Sequence, residues 1–71
     1  MTLDDRIRSW RKCRKLSQRA LGAKIGVSGA SIAQWEDGST SPTHANLEKL
    51  VSSLELTMEQ FYGPTPDEAA A

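Results

Sequence analysis

Gln34 is the one long uncharged polar side chain in the run GASIAQWE, residues 29–36. Its carboxamide offers a donor and an acceptor side by side, the pair that matches the N6 and N7 edge of adenine in a duplex major groove. Around it stand Ser28 and Ser31, whose hydroxyls can bond a base or a phosphate, and Ala30 and Ala33, whose methyls can pack on that of thymine. Gly29 brings no side chain. So sparse a surface leaves much of any selectivity to the shape and deformability of the duplex. Upstream, Arg6, Arg8, Arg11, Lys12, Arg14, Lys15, Arg19 and Lys24 are eight of the nine basic residues, with no acid among them. From Glu36 onward there are seven acids and one base, Lys49. The formal net charge of zero therefore conceals a positive first half suited to phosphates. A basic run alone is ordinarily a solvated helix face; beside elements built to enter a groove it reads as a phosphate surface.

Other chemistries do not assemble. Ser17, Ser28 and His44 give no nucleophile–base pair by any spacing argument, which makes an enzyme the weakest reading. Cys13 is the single cysteine, so no intramolecular disulfide forms, and one His with one Cys cannot build a structural zinc site. No metal and no cofactor are expected. No apolar run approaches a membrane span, and the N-terminus lacks the apolar core of a signal peptide, so the expected place is the cytoplasm.

The stretch QRALGAKIGVSGASIAQWEDG, residues 18–38, must position the candidate residues. Gln18 to Ile25 reads as one helix, with Leu21 and Ile25 on a shared face. Gly26-Val27-Ser28 is the turn: Gly26 falls where a chain leaving a helix needs positive φ, Val27 plugs the space between helices, and Ser28 is a good N-cap. Gly29 to Glu36 is the second helix, with Ile32 and Trp35 inward. Two helices joined by a three-residue turn beginning with Gly form the DNA-reading helix-turn-helix, whose second helix lies in the major groove. The outward positions of that helix are then Ser28, Gly29, Ala30, Ser31, Ala33 and Gln34.

The flanks complete one domain, 3–63. Thr2 or Asp4 caps a first helix that ends near Arg14, with Leu3, Ile7, Trp10 and Arg11 toward the core and Arg6, Arg8, Lys12 and Arg14 on the other side. Leu16 enters the core and Ser17 caps the next helix. Asp37-Gly38 ends the reading helix, and Ser39 to Pro42 is a polar loop. Thr43 caps a helix with an apolar face of Leu47, Leu50, Val51 and Leu54. Thr57 and Gln60 form a capping box for a last helix, Met58 to Tyr62, and Gly63-Pro64 stops it. Phe61 is assigned to the core. Met58 and Tyr62, with Leu56 nearby, are the candidate dimer surface. Residues 64–71 read as a flexible tail or the start of a linker. The fold class is all-α, with five helices.

Leu16-Ser17-Gln18, Leu21, Gly26-Val27-Ser28, Ile32, Trp35-Glu36, Gly38, Pro42, Leu47 and Leu50, in this order and spacing, resemble the Cro/CI type of helix-turn-helix, also called the XRE family. The resemblance runs from about Leu3 to Phe61. It implies a compact five-helix lambda-repressor-like domain with a central helix-turn-helix over about 18–37. It implies a sequence-specific regulator of double-stranded DNA, most simply a phage-like repressor on a two-fold-symmetric operator. Such a protein works as a homodimer that sets its reading helices about 34 Å apart. The residue matching Gln18 commonly holds a phosphate; Arg19 adjoins it and Lys24 is expected to reach the same strand. Ser39, Thr40, Thr43 and His44, in or beside the loop after the reading helix, face the other strand, with His44 open to a bystander role. Arg11 and Glu36 match residues that often form an ion pair, the rival being that Arg11 contacts a phosphate. Family members often carry Gly at the position of Lys15 and usually Ala at that of Gly22, where the reading helix is expected to limit size. A restriction-modification controller protein or an antitoxin of the same fold stays open, in a bacterial cell or encoded by a phage. A protein-interaction module is the rival of another class: neutral total charge and small reading residues support it, and the basic block opposes it.

Overall fold

Five hydroxyl side chains open five of the helices in this chain, each by accepting a hydrogen bond from the amide three residues on. The computed structural model describes residues 2–70. Thr2 opens α1 (Leu3–Cys13), Ser17 opens α2 (Gln18–Ile25), Ser28 opens α3 (Gly29–Asp37), Thr43 opens α4 (His44–Ser53) and Thr57 opens α5 (Met58–Tyr62). Thr57 and Gln60 form the full reciprocal capping box. The bounds of α2 are those expected, and α3 runs one residue further, to Asp37.

Helix ends are set by backbone that turns left-handed. Gly26 (φ 79°) and Gly38 (φ 82°) end α2 and α3, a conformation Gly takes without steric cost. Lys15 (φ 57°) and Glu55 (φ 61°) do the same work after α1 and α4 without being Gly, at about 1 kcal/mol each.

Ile7, Leu21, Ile25, Ile32, Trp35, Leu47, Leu50, Val51, Leu54 and Phe61 form one buried cluster, so α1 to α5 each contribute to the same core. Leu3, Trp10, Leu16, Val27, Leu56 and Met58 pack half-buried around it. Trp10, expected inside, lies at the core's margin and donates from Nε1 to the Phe61 carbonyl (3.1 Å). The tight spot at Gly22 differs in cause from the expectation: a Cβ there would stand 2.6 Å from the Val27 carbonyl oxygen. The turn backbone, not a side chain of the reading helix, imposes the size limit.

The expected flexible tail, 64–71, is corrected over most of its length. A sixth helix, α6 (Pro66–Ala70), follows the five expected. Thr65 is fully buried and its Oγ1 accepts from the Glu68 amide (3.3 Å), while Pro66 stands at the first helical position, where its missing N–H costs nothing. The Ser9 hydroxyl, buried on α1, donates to Asp67 (3.0 Å). Nothing local announces that docking, because its partner lies 58 residues away. Ala71 lies outside the described residues.

The basic side of α1 is also corrected. Arg6 Nη1 donates to the carbonyls of Gly63 (2.7 Å) and Phe61 (3.2 Å) at the end of α5. Arg14 Nε donates to the Leu54 carbonyl (2.8 Å) at the end of α4. Arg8 Nη2 donates to the Glu36 carbonyl (3.2 Å) near the end of α3. These guanidiniums meet the negative ends of other helices, where cations are favoured. Among the described residues no helix is long and apolar enough to cross a membrane.

Candidate nucleic-acid interface

The reading helix α3 has one buried side and one open side. Ile32 is fully buried and Trp35 nearly so, which fixes the roll of the helix about its axis. Ala30 and Gln34, four apart, are exposed on the opposite side, with Ser31 half-buried beside them. Ser28 is exposed, but its Oγ accepts from the Ser31 amide and lies 3.1 Å from Ser31 Oγ, so the two hydroxyls already hold each other. Ala33 is half-buried, turned partly toward the core side. Gly29 departs furthest from its expected outward aim. A Cβ on it would point at α2, 3.0 Å from Arg19 Cα and 3.4 Å from Arg19 Cβ.

Behind α3 stands a charged clamp. Glu36 is only 2% exposed. Its Oε2 accepts from Arg11 Nε at 2.6 Å and its Oε1 from Arg11 Nη2 at 3.0 Å, a bidentate fork. Gln18 Nε2 donates to the same Oε1 (3.2 Å), and Arg8 Nε lies 3.6 Å from it. One carboxylate thus joins α1, α2 and α3. Arg11 also donates from Nη1 to the Leu16 carbonyl (2.9 Å), so three of its N–H groups are held within the fold.

Gln18 opens α2, and the backbone N–H groups of Gln18 and Arg19 belong to the first turn, where helical partners are lacking. That end of a helix favours anions. Arg19 is exposed there. Lys24 stands five residues beyond Arg19, about 7.5 Å along the helix. It lines a groove against α4 with Lys49, Ser52 and Ser53. At the other end of α3, Ser39, Thr40, Thr43 and His44 are all exposed. Asp37 Oδ1 accepts from the Ser39 amide (2.8 Å) and the Thr40 amide donates back to the Gln34 carbonyl (3.4 Å), which shapes the loop. The Ser39 hydroxyl, and then its amide, hold the Asp37 carboxyl below the usual carboxylate range, with the Arg8 charge adding to them. His44 Nε2 is 2.6 Å from Glu48 Oε1, an exposed pair within α4.

On the far side, Leu56 and Met58 are half-buried and Tyr62 is 49% exposed, the one large apolar side chain left open among the described residues. The Tyr62 ring packs edge-on to Phe61 (5.1 Å between centroids) and under the Arg6 guanidinium (5.7 Å).

A helix, a left-handed glycine turn and a second helix with one face anchored and one open define a helix-turn-helix protein. Residues 7–61 match the family described as Helix-turn-helix, and the chain belongs to that family in its XRE form. It is 43% identical over 55 residues to repressor protein C2 of Salmonella phage P22 and 40% identical over 57 residues to the transcriptional regulator DicA of Escherichia coli strain K12. These matches cover 78% and 80% of this chain but 26% and 42% of the relatives, so the chain spans less than half the length of either. Its fold is similar to the crystal structure of the P22 c2 repressor in complex with a synthetic operator, with a TM-score of 0.79 at 36% identity over 89% of this chain and 96% of that one. It is similar also to the solution structure of the P22 c2 DNA-binding domain, with a TM-score of 0.82 at 34% identity over 100% of this chain and 91% of that one.

Proposed function

We propose that this chain binds a double-stranded DNA operator and acts as a transcriptional repressor by occupying it. The observation that carries the reading is the open Ala30–Gln34 edge of α3, set in a fold that in the P22 c2 repressor is bound to an operator. Gln34 contacts adenine, and Ala30, Ser31 and Ala33, with Ser28 at the helix start, line the rest of the groove-facing surface. The α2 N-terminus with Gln18, and the Ser39, Thr40, Thr43 and His44 group, contact the two phosphate strands and set the register. Two copies meet through Leu56, Met58 and Tyr62 and place two reading helices on one face of the duplex. The role is one of occupancy, without catalysis.

A selection from random duplexes at two salt concentrations tests this, with Gln34→Ala alongside. The expected result is a two-fold-symmetric site whose affinity falls with salt and which loses base preference at one position per half-site in the variant. Retention of no duplex overturns the reading. It would favour a protein-interaction module instead, which the hydrogen bonds of Arg6, Arg8, Arg11 and Arg14 to groups of the chain itself support.

A further inference from the structure

We infer that Arg19, on α2, is a specificity-determining residue that reads a guanine edge across the start of α3; the inference rests on the operator-binding reading. The first turn of α3 offers almost nothing of its own. Gly29 has no side chain, Ala30 ends at a methyl, and the hydroxyls of Ser28 and Ser31 are bonded within the helix start. Gly29 lies so close to α2 that Arg19 Cβ would be 3.4 Å from any Cβ placed there. Arg19 therefore stands where α2 and α3 touch, beside the first turn of α3. It is exposed, and among the described residues it makes no hydrogen bond or ion pair, unlike the four arginines of α1. A guanidinium is a planar fork whose paired donors fit guanine O6 and N7, the commonest specific contact in the major groove. A long side chain rooted on α2 beside Gly29 performs the reading that α3 cannot.

Wild type, Arg19→Ala and Arg19→Gln are compared by selection and by affinity for single-base variants of the enriched site. Wild type is expected to prefer guanine at one position per half-site by about 5- to 140-fold. Arg19→Ala is expected to lose that preference and keep the rest of the site, and Arg19→Gln to move it toward adenine. Equal melting temperatures for the three proteins separate loss of reading from loss of fold, and Arg19→Gln keeps a long helix-favouring side chain. Uniform weakening on all sequences by Arg19→Ala, with a salt slope about one unit smaller, overturns the inference and leaves Arg19 a phosphate contact. The same guanine retained by Arg19→Ala overturns it too. Neither result touches the operator-binding reading, which fails only if wild type enriches no site, taking this inference with it.

Discussion

Arg11 and Glu36 face each other through two parallel hydrogen bonds, 2.6 and 3.0 Å, across the gap between α1 and the last turn of α3. The carboxylate is almost fully buried, and Gln18 supplies a third hydrogen bond, to Oε1. A buried charge is tolerable only when paired this completely, and removing one partner costs about 3–5 kcal/mol. Glu36→Gln keeps one acceptor, so the low end applies, about 3 kcal/mol, or roughly 12–24 °C in melting temperature for a domain of this size. Operator affinity should fall with it, because the pair sets the angle of α3. An unchanged melting temperature in thermal unfolding would contradict the clamp and return Arg11 to a phosphate role.

Lys15 ends α1 in the left-handed region, where a Cβ collides with its own backbone. Lys15→Gly relieves that strain. It should stabilise the domain by about 1 kcal/mol and raise the melting temperature by roughly 4–8 °C. Glu55→Gly after α4 should act likewise. No gain at either position in calorimetry would mean that the turns relax at no cost.

Gly22 asks the opposite question, since Ala favours a helix by roughly 0.8–1 kcal/mol. The Cβ of Gly22→Ala would stand 2.6 Å from the Val27 oxygen and 3.0 Å from the Ser28 carbonyl carbon, both backbone. Backbone in a three-residue turn cannot swing aside as a side chain can. Overpacking of this kind costs about 1–3 kcal/mol and should exceed the propensity gain. Chemical denaturation should therefore show a lower midpoint for Gly22→Ala.

Features of this fold differ in how far the sequence announced them. Ser17, Gly26 and Ser28 act on backbone within three residues of themselves, so the bounds of α2 and the turn could be read from residue types alone. The inward pair Ile32 and Trp35 followed from helical spacing. The destinations of Arg6 and Arg14 did not, because their carbonyl partners lie 57 and 40 residues away and any helix end will accept a guanidinium. Nor did the burial of Thr65, which depends on the side of α1 it meets. At the interface, the exposure of Gln34 was legible. The inward aim of Gly29 was not, because it depends on how closely α2 and α3 cross.

The carboxyl of Asp37 gives the pH dependence. Its pKa lies lower folded than unfolded, held down first by the Ser39 hydroxyl and then by the Ser39 amide. Such a group stabilises the fold above its unfolded value and loses that contribution as pH falls through its folded value. Relative to Asp37→Asn, wild type should keep a constant stability difference above about pH 5 and lose ground below about pH 4. Parallel urea titrations at both ends of that range would reveal it. A difference independent of pH would mean that Ser39 does not hold the carboxylate.

Arg6 and Arg14 are the sharpest test of where the basic charge of α1 goes. Each donates to a carbonyl at the end of another helix, so each should support the fold rather than the duplex. Arg6→Met and Arg14→Met remove a charged donor and keep an apolar stem. Each should cost about 1.5 kcal/mol, the lower end for bonds from charged groups, and roughly 6–12 °C in melting temperature. Measured well below those temperatures, the slope of log affinity against log salt should match wild type, because no counterion is displaced from a phosphate by either residue. If instead they reached phosphates, each substitution would flatten the slope by about 0.9 and leave the melting temperature in place. The two observables move in opposite patterns, so a single pair of variants decides whether the charge of α1 acts on DNA or on the ends of α4 and α5.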